Sequence, residues 1–561
     1  MTSSILAFSL AQSDVAQFAP RLGLLSYRRD TATPAIEIKI PGAIATSSRG
    51  IIPHLSRDHV RSTGSIQWVN IPFESFLDRV PPVITLQTGP EPLHTFLGYD
   101  RRKHILSMTV RDPLDVRDMP ANGKDHISAQ CIRGVRKVTP SSWNSYSQAC
   151  KPDVFVALAD IPHTQAPQSQ KRLQKSLERS AAWLAHLIGS AQSQPSDVSS
   201  ELTDQRPSVL VNLVGGTEER ARTAFSESLL EVLHGKEQEQ ISPLRTLDEG
   251  VAGYQLELVS LRRTLRAEHI TQLKTSDDTK ELSSLMQASL IPLPSKKLRI
   301  VYGAQSPHEI LCFIRNLGLD LFDTHWAQRA ADIGVALDFT FPAPSPSEAN
   351  SANDPCPRPK FRTNGTMDIG HNLFDSSYAH DHNRLASSFL DGASSSRDDS
   401  QSTGRPCCTC RACSPLPSET TIIHDGITQA PEKPISPLPP YTRSYIHHLL
   451  HTHEMSSHSL LVMHNLAIID GFFRGIREVI HLSQTDPGLL AREIELFVAA
   501  YSHPDELFAE AEKDWAKVES ERGKGRLARE REKQEAEVTA AVAAAAAKLV
   551  ESHEEVIVST D

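Results

Sequence analysis

The sequence predicts an α/β protein built on a (β/α)8, TIM-like barrel, with an inserted zinc-binding subdomain and a helical C-terminal tail. Three observations predict it. Short apolar runs alternate with amphipathic helical segments over about 300 residues, the pattern of parallel βα units. Four cysteines crowd into residues 407–413. Beyond about residue 505 the chain is dominated by Glu, Lys, Arg and Ala.

DVFVALAD (Asp153 to Asp160) is a buried-strand run ending in a carboxylate. The helix after it places Leu173, Leu177, Leu184, Leu187 and Ile188 on one face. SVLVNLVGG (Ser208 to Gly216) is a strand stopped by two glycines, followed by the helical EERARTAFSESLLEVL. LRIVYGA (Leu298 to Ala304) is a strand, and Ser306 is placed to cap the next helix. LDLFD and VALDFTF supply two further strands. Such alternation fits an open doubly wound sheet or a closed barrel. The chain carries neither a G-x-G-x-x-G turn nor a Walker loop, which favours the barrel.

These signals divide the chain into a barrel over residues 1–340, a poorly ordered insertion over 341–406, a metal-binding subdomain with closing helices over 407–500, and a charged helical tail over 501–561. Residues 190–207 are Ser, Gln and Asp rich, and 341–406 are poor in apolar residues, which predicts little order. Within 414–440 the prolines of PLP, APEKP and SPLPP forbid a helix. The tail lacks a sustained heptad, so a solvated helix is expected there.

A hydrophobic content of 39% with 22% charged residues predicts a soluble, globular chain. No apolar run in the sequence approaches the roughly 18 residues of a membrane span. The N-terminus lacks a basic signal-peptide region, so a cytoplasmic location is expected. Of the net charge of -10, the segment from Asp505 onward holds -6, with nine basic and fifteen acidic residues. The remainder is near neutral, which argues against binding nucleic acid through bulk charge. Eight cysteines in 561 residues make no disulfide framework.

Cys408, Cys410 and Cys413 stand in a C-x-C-x2-C run that can supply three thiolates from one turn, and thiolate with imidazole is the donor set Zn2+ prefers. Seven downstream histidines are candidates for a fourth ligand: His424, His447, His448, His451, His453, His458 and His464. A closed Cys3His shell leaves no open position, so such a metal is structural.

CTCRAC followed by YTRSYIHHLLHTHEMSSHSLLVMHNLAIIDGFFRGIRE resembles the zinc subdomain of the tRNA-guanine transglycosylases, the queuine tRNA-ribosyltransferases. That resemblance selects His464, from its H-N pair, as the fourth ligand beside Cys408, Cys410 and Cys413, with one structural Zn2+ per subunit. The 414–440 insertion lengthens the gap between the third and fourth ligands. Weaker resemblance runs through RKVTPSSWNSYSQACKPDVFVALAD, LVNLVGG and GLDLFDTHWAQRAADIGVALDF, covering roughly 130–340 and 405–480 in all. The family fold is a (β/α)8 barrel with the zinc subdomain inserted near its end.

The resemblance implies exchange of guanine for queuine, or its precursor, at the tRNA wobble position. It puts a carboxylate nucleophile at Asp323 and a base-reading carboxylate at Asp160. The remaining machinery is missing. No D-S-G-G-F-Q string supplies a general base, and the stretch GSIQWVNIPFESFLDRVPPVITLQTGPEPL stands where one is expected. Val214 replaces the glutamine of I-V-Q-G-G, EGVAGYQLE replaces a Gly-rich pocket strand, and THWAQRA replaces a P-T-R turn.

RLGLLSYRR, PGAIATSSRGIIPHLSRDHV and the YIHHLL…MHN…GFF helix pair are similar to the family's non-catalytic, accessory branch. That branch implies a heterodimer with a catalytic subunit, contact with tRNA through the complex, and a possible peripheral association with the mitochondrial outer membrane. On this reading Asp323 is vestigial. Two alternatives are an active transglycosylase using Asp323 with a base such as Asp160, and a zinc-stabilised RNA-binding scaffold. Arg443, Arg474 and Arg477 flank the zinc helices, where they are either phosphate contacts or ordinary surface charge.

Overall fold

The computed structural model describes residues 6–522 except 13–15, 30–32, 163–167, 193–207, 273–277, 345–355, 396–404, 417–420, 423–427 and 430–437. Beyond 522 it describes only 531, 534–536 and 538–539. Eight parallel strands close into a barrel in chain order. They are β1 (Gly42–Thr46), β2 (Trp68–Pro72), β3 (Ile105–Thr109), β4 (Val154–Val156), β5 (Ser208–Asn212), β6 (Gly253–Glu257), β7 (Leu298–Tyr302) and β8 (Leu321–Asp323). Closure is made where Leu321 and Asp323 of β8 pair with Gly42 and Ile44 of β1.

One end of the barrel is stoppered. An antiparallel sheet of Leu6–Leu10, Gly23–Tyr27 and Ile36–Ile40 sends Leu25, Tyr27, Ile36, Ile38 and Ile40 into one apolar cluster with Trp68, Ile105, Val154, Leu298, Ile300 and Leu321 of the barrel. Buried ion pairs hold that sheet to the strands: Arg21 grips Asp320 just before β8, and Arg29 grips Asp153 just before β4. The strands' C-terminal ends remain open, which is where barrel sites assemble.

The helices form the outer ring. Pro307–Leu317 begins at Ser306, whose hydroxyl accepts the Glu309 N–H, and ends at Gly318 in the left-handed region. Its Ile310, Leu311, Phe313, Ile314 and Leu317 are buried against the barrel. The expected N-cap is therefore present.

Four sequence expectations differ from the structure. Val335–Leu337 is a strand, as read, yet it pairs antiparallel with Gly370–Asn372 outside the barrel. The insertion over 341–406 is not poorly ordered throughout. Its longest described stretch (356–395) buries Met367, Ile369, Leu373, Phe374, Leu385 and Phe389. These apolar residues are sparse, but nearly every one is spent on the core. Polar partners satisfy the rest: Asp338 accepts hydrogen bonds from the Ser387 and Ser388 N–H groups and pairs with His371 at 2.9 Å.

The tail's first helix, Asp505–Arg522, is not a solvated rod. It buries Leu507 and Ala511 and lays Trp515 under the Arg329 guanidinium at 5.7 Å. Glu510 binds Arg362, and Asp514 accepts from Asn372. Finally, the 28-residue helix Met455–Leu482 is long and apolar enough to cross a membrane by length and composition alone, which the sequence reading did not recognise. Most of its apolar window is buried inside the molecule, against the barrel and the helix His325–Asp332.

Candidate metal centre and barrel mouth

The three cysteines reach one point because the backbone around them is tied down. Cys408 N–H donates to Leu390 O, Cys413 N–H to the Cys410 sulfur at 3.2 Å, and the Ser414 hydroxyl to Cys408 O. Helix Met455–Leu482 carries His464 in from the opposite side. Its Nδ1 lies 3.7 Å from the sulfurs of Cys408 and Cys410 and 3.3 Å from that of Cys413. A tetrahedral ion with bonds of about 2.3 Å to sulfur and about 2.0 Å to nitrogen holds S and N about 3.6 Å apart. The four donor atoms lie within 4.8 Å of one another and all four residues are buried, so the group can hold a metal ion such as zinc.

The remaining contacts favour the same reading. The His464 Nε2–H donates to Leu337 O at 2.9 Å, which fixes the tautomer and leaves the Nδ1 lone pair facing the sulfurs. Burial pushes the Cys410 thiol up. Hydrogen bonds from Cys408, Cys413 and the backbone outweigh burial and hold it well below the usual thiol range. The neighbouring Asn465 clamps the helix to the strand Val335–Leu337. Its Oδ1 accepts Leu337 N–H, and its Nδ2 donates to Ala327 O and Val335 O. The H-N pair is thus one candidate metal ligand and one splice.

Of the other candidate ligands, His447, His448, His451, His453 and His458 lie away from the sulfurs; His458, for example, bonds Ala331 O. His424 is outside the described residues.

At the open end of the barrel Asp323 closes β8, 1% exposed. One carboxylate oxygen accepts the Gly303 N–H at 2.6 Å and the other the His325 N–H at 2.8 Å. Burial pushes its pKa up to about 7, with the Asp112 charge adding to the shift. Two more carboxylates crowd the mouth. Asp112, just after β3, is raised to about 6 by burial, and Glu74, just after β2, to about 7 by burial. Glu74 also accepts the N–H groups of Asp112 and Gln130, and so stitches two loops together. Glu257, at the end of β6, is raised by burial too and accepts a bond from Gln255.

Asp160 follows β4 and is fully buried. Arg172 binds both its oxygens at 2.7 and 2.8 Å, Arg179 adds a contact at 3.1 Å, and Asn122 donates at 2.7 Å. Val214 is buried in the apolar core. The turn after it needs its glycines. Gly215 sits at φ 133°, and a Cβ there would meet the Arg222 backbone at 2.6 Å. The cavity between Val214, Gly215, Gly216 and Glu257 holds about 110 Å³, against roughly 300–1,000 Å³ for small-molecule sites.

A family model described as queuine tRNA-ribosyltransferase matches residues 19–248 and 257–486. The chain belongs to that family. Similar proteins carry the name queuine tRNA-ribosyltransferase accessory subunit 2. The one from Aedes aegypti is 23% identical over 474 residues, 84% of this chain and 89% of that protein. The one from Drosophila persimilis is 25% identical over 448 residues, 79% and 82% of the two chains. The one from Schizosaccharomyces pombe is 23% identical over 474 residues, 83% and 80%.

Against that membership the sequence-derived residues sort clearly. Cys408, Cys410, Cys413 and His464 come together; Asp323 and Asp160 follow strands β8 and β4, on opposite sides of the barrel, and each is tied up by its own surroundings. Asp160 is therefore not a free base. Arg443 is not a surface charge: it is fully buried and binds Asp381 and His371. Arg477 is half-buried and donates to Pro41 O, so only Arg474, paired with Asp470, is a surface residue. Sequence reasoning missed Glu74, Asp112 and Glu257. The signal available was their position directly after apolar strand runs.

Proposed function

We propose that this chain is the non-catalytic accessory subunit of a queuine tRNA-ribosyltransferase, paired with a catalytic chain in a cytoplasmic heterodimer. The pair exchanges guanine for queuine at wobble position 34 of tRNAs with GUN anticodons. The observation that carries the reading is the state of the barrel mouth. A nucleophilic carboxylate needs a free oxygen aimed at the ribose anomeric carbon. Asp323 is instead 1% exposed, with each oxygen held by a backbone N–H, and Asp160 is bound by Arg172, Arg179 and Asn122. Val214, buried in the core, offers a base no side-chain amide from its own position.

The bound ion in this reading is one structural Zn2+, held by Cys408, Cys410, Cys413 and His464. It supplies cross-linking of the cysteine turn to helix Met455–Leu482. The residues do the rest: Asn465 fixes that helix on the body and Leu337 O sets the His464 tautomer. The outcome is a rigid shell beside the barrel, suited to holding a partner.

The test is incorporation of labelled queuine into tRNA by this chain alone, by the catalytic relative alone, and by both together. Full activity is expected only in the mixture, and Asp323→Asn in this chain is expected to leave the kcat of the folded mixture unchanged even though it lowers this chain's stability. Turnover by the isolated chain overturns the proposal.

A further inference from the structure

The histidine run left over from the metal centre carries an observation of its own. His447 and His451 stand four residues apart on the helix Arg443–His451, a spacing that puts both rings on one face. Their ring centroids are 4.1 Å apart with the planes inclined at 41°. The tautomer of each is fixed by a partner that can only accept. His447 Nδ1 lies 2.9 Å from Leu373 O, and His451 Nδ1 lies 3.0 Å from His447 O. Both Nδ1 atoms therefore carry the proton, and both Nε2 atoms present lone pairs. Carbonyl anchoring of one ring nitrogen with the other left basic is the arrangement of metal-bound imidazole.

We propose that His447 and His451 form a second, solvent-accessible divalent-metal site, distinct from the buried Cys3His group. It binds a borderline transition ion such as Zn2+, Ni2+ or Cu2+ through the two Nε2 atoms, with water completing the shell. Two histidines at i and i+4 on a helix are a known chelating pair for such ions.

The surroundings supply three further supports. His451 is the last residue of its helix, where the backbone dipole favours a cation. Phe374 meets the His451 ring edge-on at 5.9 Å and limits its rotation. Burial lowers the His447 pKa, which keeps that ring neutral near pH 7, and the Asp375 charge acts on it in the favourable direction for a bound cation. His451 itself is exposed, so an ion can reach the pair from solvent. Occupancy would staple the final turn of the helix, next to the left-handed His453 that ends it.

The experiment uses untagged, zinc-loaded full-length protein, so that the Cys3His group is already filled. Ni2+ is titrated by calorimetry, and retention on an immobilised-nickel column gives a second readout. One Ni2+ equivalent is expected to bind. His451→Ala should weaken it at least tenfold and release the chain from the column. His447→Gln should weaken it similarly, and His448→Ala, one residue off the pair, should leave it unchanged. Circular dichroism and total zinc content check that the variants remain folded. Equal Ni2+ affinity in wild type and His451→Ala overturns the proposal, as does loss of binding in His448→Ala of the same size.

Discussion

Replacing His464 by Ala tests the metal centre most directly, because the structure lets its cost be assembled from parts. The ring is fully buried, so truncation leaves a cavity worth about 2–4 kcal/mol. The Nε2–H bond to Leu337 O is lost, which adds about 1–2 kcal/mol for a buried carbonyl left without a donor. The fourth ligand disappears as well, which weakens the ion's hold on the cysteine turn. The sum, roughly 3–6 kcal/mol before the metal term, is a large share of a typical folding stability of about 5–15 kcal/mol. In a chain this long each kcal/mol moves the melting temperature by ~1–3 °C, so a fall of roughly 5–15 °C is expected. Differential scanning calorimetry reads the melt and plasma emission spectroscopy reads the metal. Cys410→Ser serves as the companion variant: it removes a ligand with little change in volume, so it should lose metal while leaving the packing around Leu337 intact. A His464→Ala protein that keeps one metal ion per chain and melts within about 1 °C of wild type would refute the reasoning.

The other predictions concern the barrel and its splice to the metal subdomain. Asp323 holds a folded-state pKa of about 7 against an ordinary 3.8, so the folded protein keeps a proton that the unfolded chain releases. Its contribution is present at low pH and is lost as pH rises from about 4 to about 7; Asp112 and Glu74 act in the same direction. Denaturant titrations across that window should show a flatter loss of stability with pH in Asp323→Asn than in wild type. Replacing both Arg172 and Arg179 by Ala strands the buried Asp160 charge and should cost about 3–5 kcal/mol by urea unfolding, whereas Arg474→Ala, an exposed pair, should cost under about 1 kcal/mol. Asn465→Ala removes three buried hydrogen bonds to the backbone and should cost about 3 kcal/mol or more, with faster hydrogen exchange at Leu337 as the local readout.

What the sequence disclosed follows physical lines. The barrel was legible where strands are continuous apolar runs, as in LRIVYGA and SVLVNLVGG, because a parallel sheet covered on both faces needs them. β1, β2 and β3 were harder to see. Thr46, Asn70, Ser107 and Thr109 break their hydrophobic runs, yet each finds a polar partner: the Thr46 hydroxyl donates to Gln328, Trp68 Nε1 to Ser107, Ser107 to Asn70, and Asn70 to Thr109. The metal centre was legible because thiolate spacing is local. The choice of His464 among seven histidines rested on resemblance, since the pairing spans more than fifty residues and depends on where helix Met455–Leu482 docks. The folding of 356–395 and of the tail helix was illegible for a related reason. Their apolar residues show no strong period alone and find a core only against each other and the barrel.

The carboxylates of the barrel mouth have a mechanical role. Each strand that ends at the mouth leaves backbone N–H groups with no strand neighbour to accept them. Asp323 takes up those of Gly303 and His325, Glu74 those of Asp112 and Gln130, and Asp112 that of Leu114. An uncharged isostere such as Asn offers one acceptor oxygen where two are used, and an apolar residue offers none, so either change orphans buried donors. The carboxylates at Asp323 and Glu74 therefore act as caps for the loops around the mouth. Both caps are also buried, Asp323 at 1% and Glu74 at 4% exposed, so neither carboxylate is presented to a substrate. The same side chains that close the rim are occupied in holding its loops, as the proposed accessory role requires, and the Cys3His shell beside the barrel is the feature that proposal assigns to a partner.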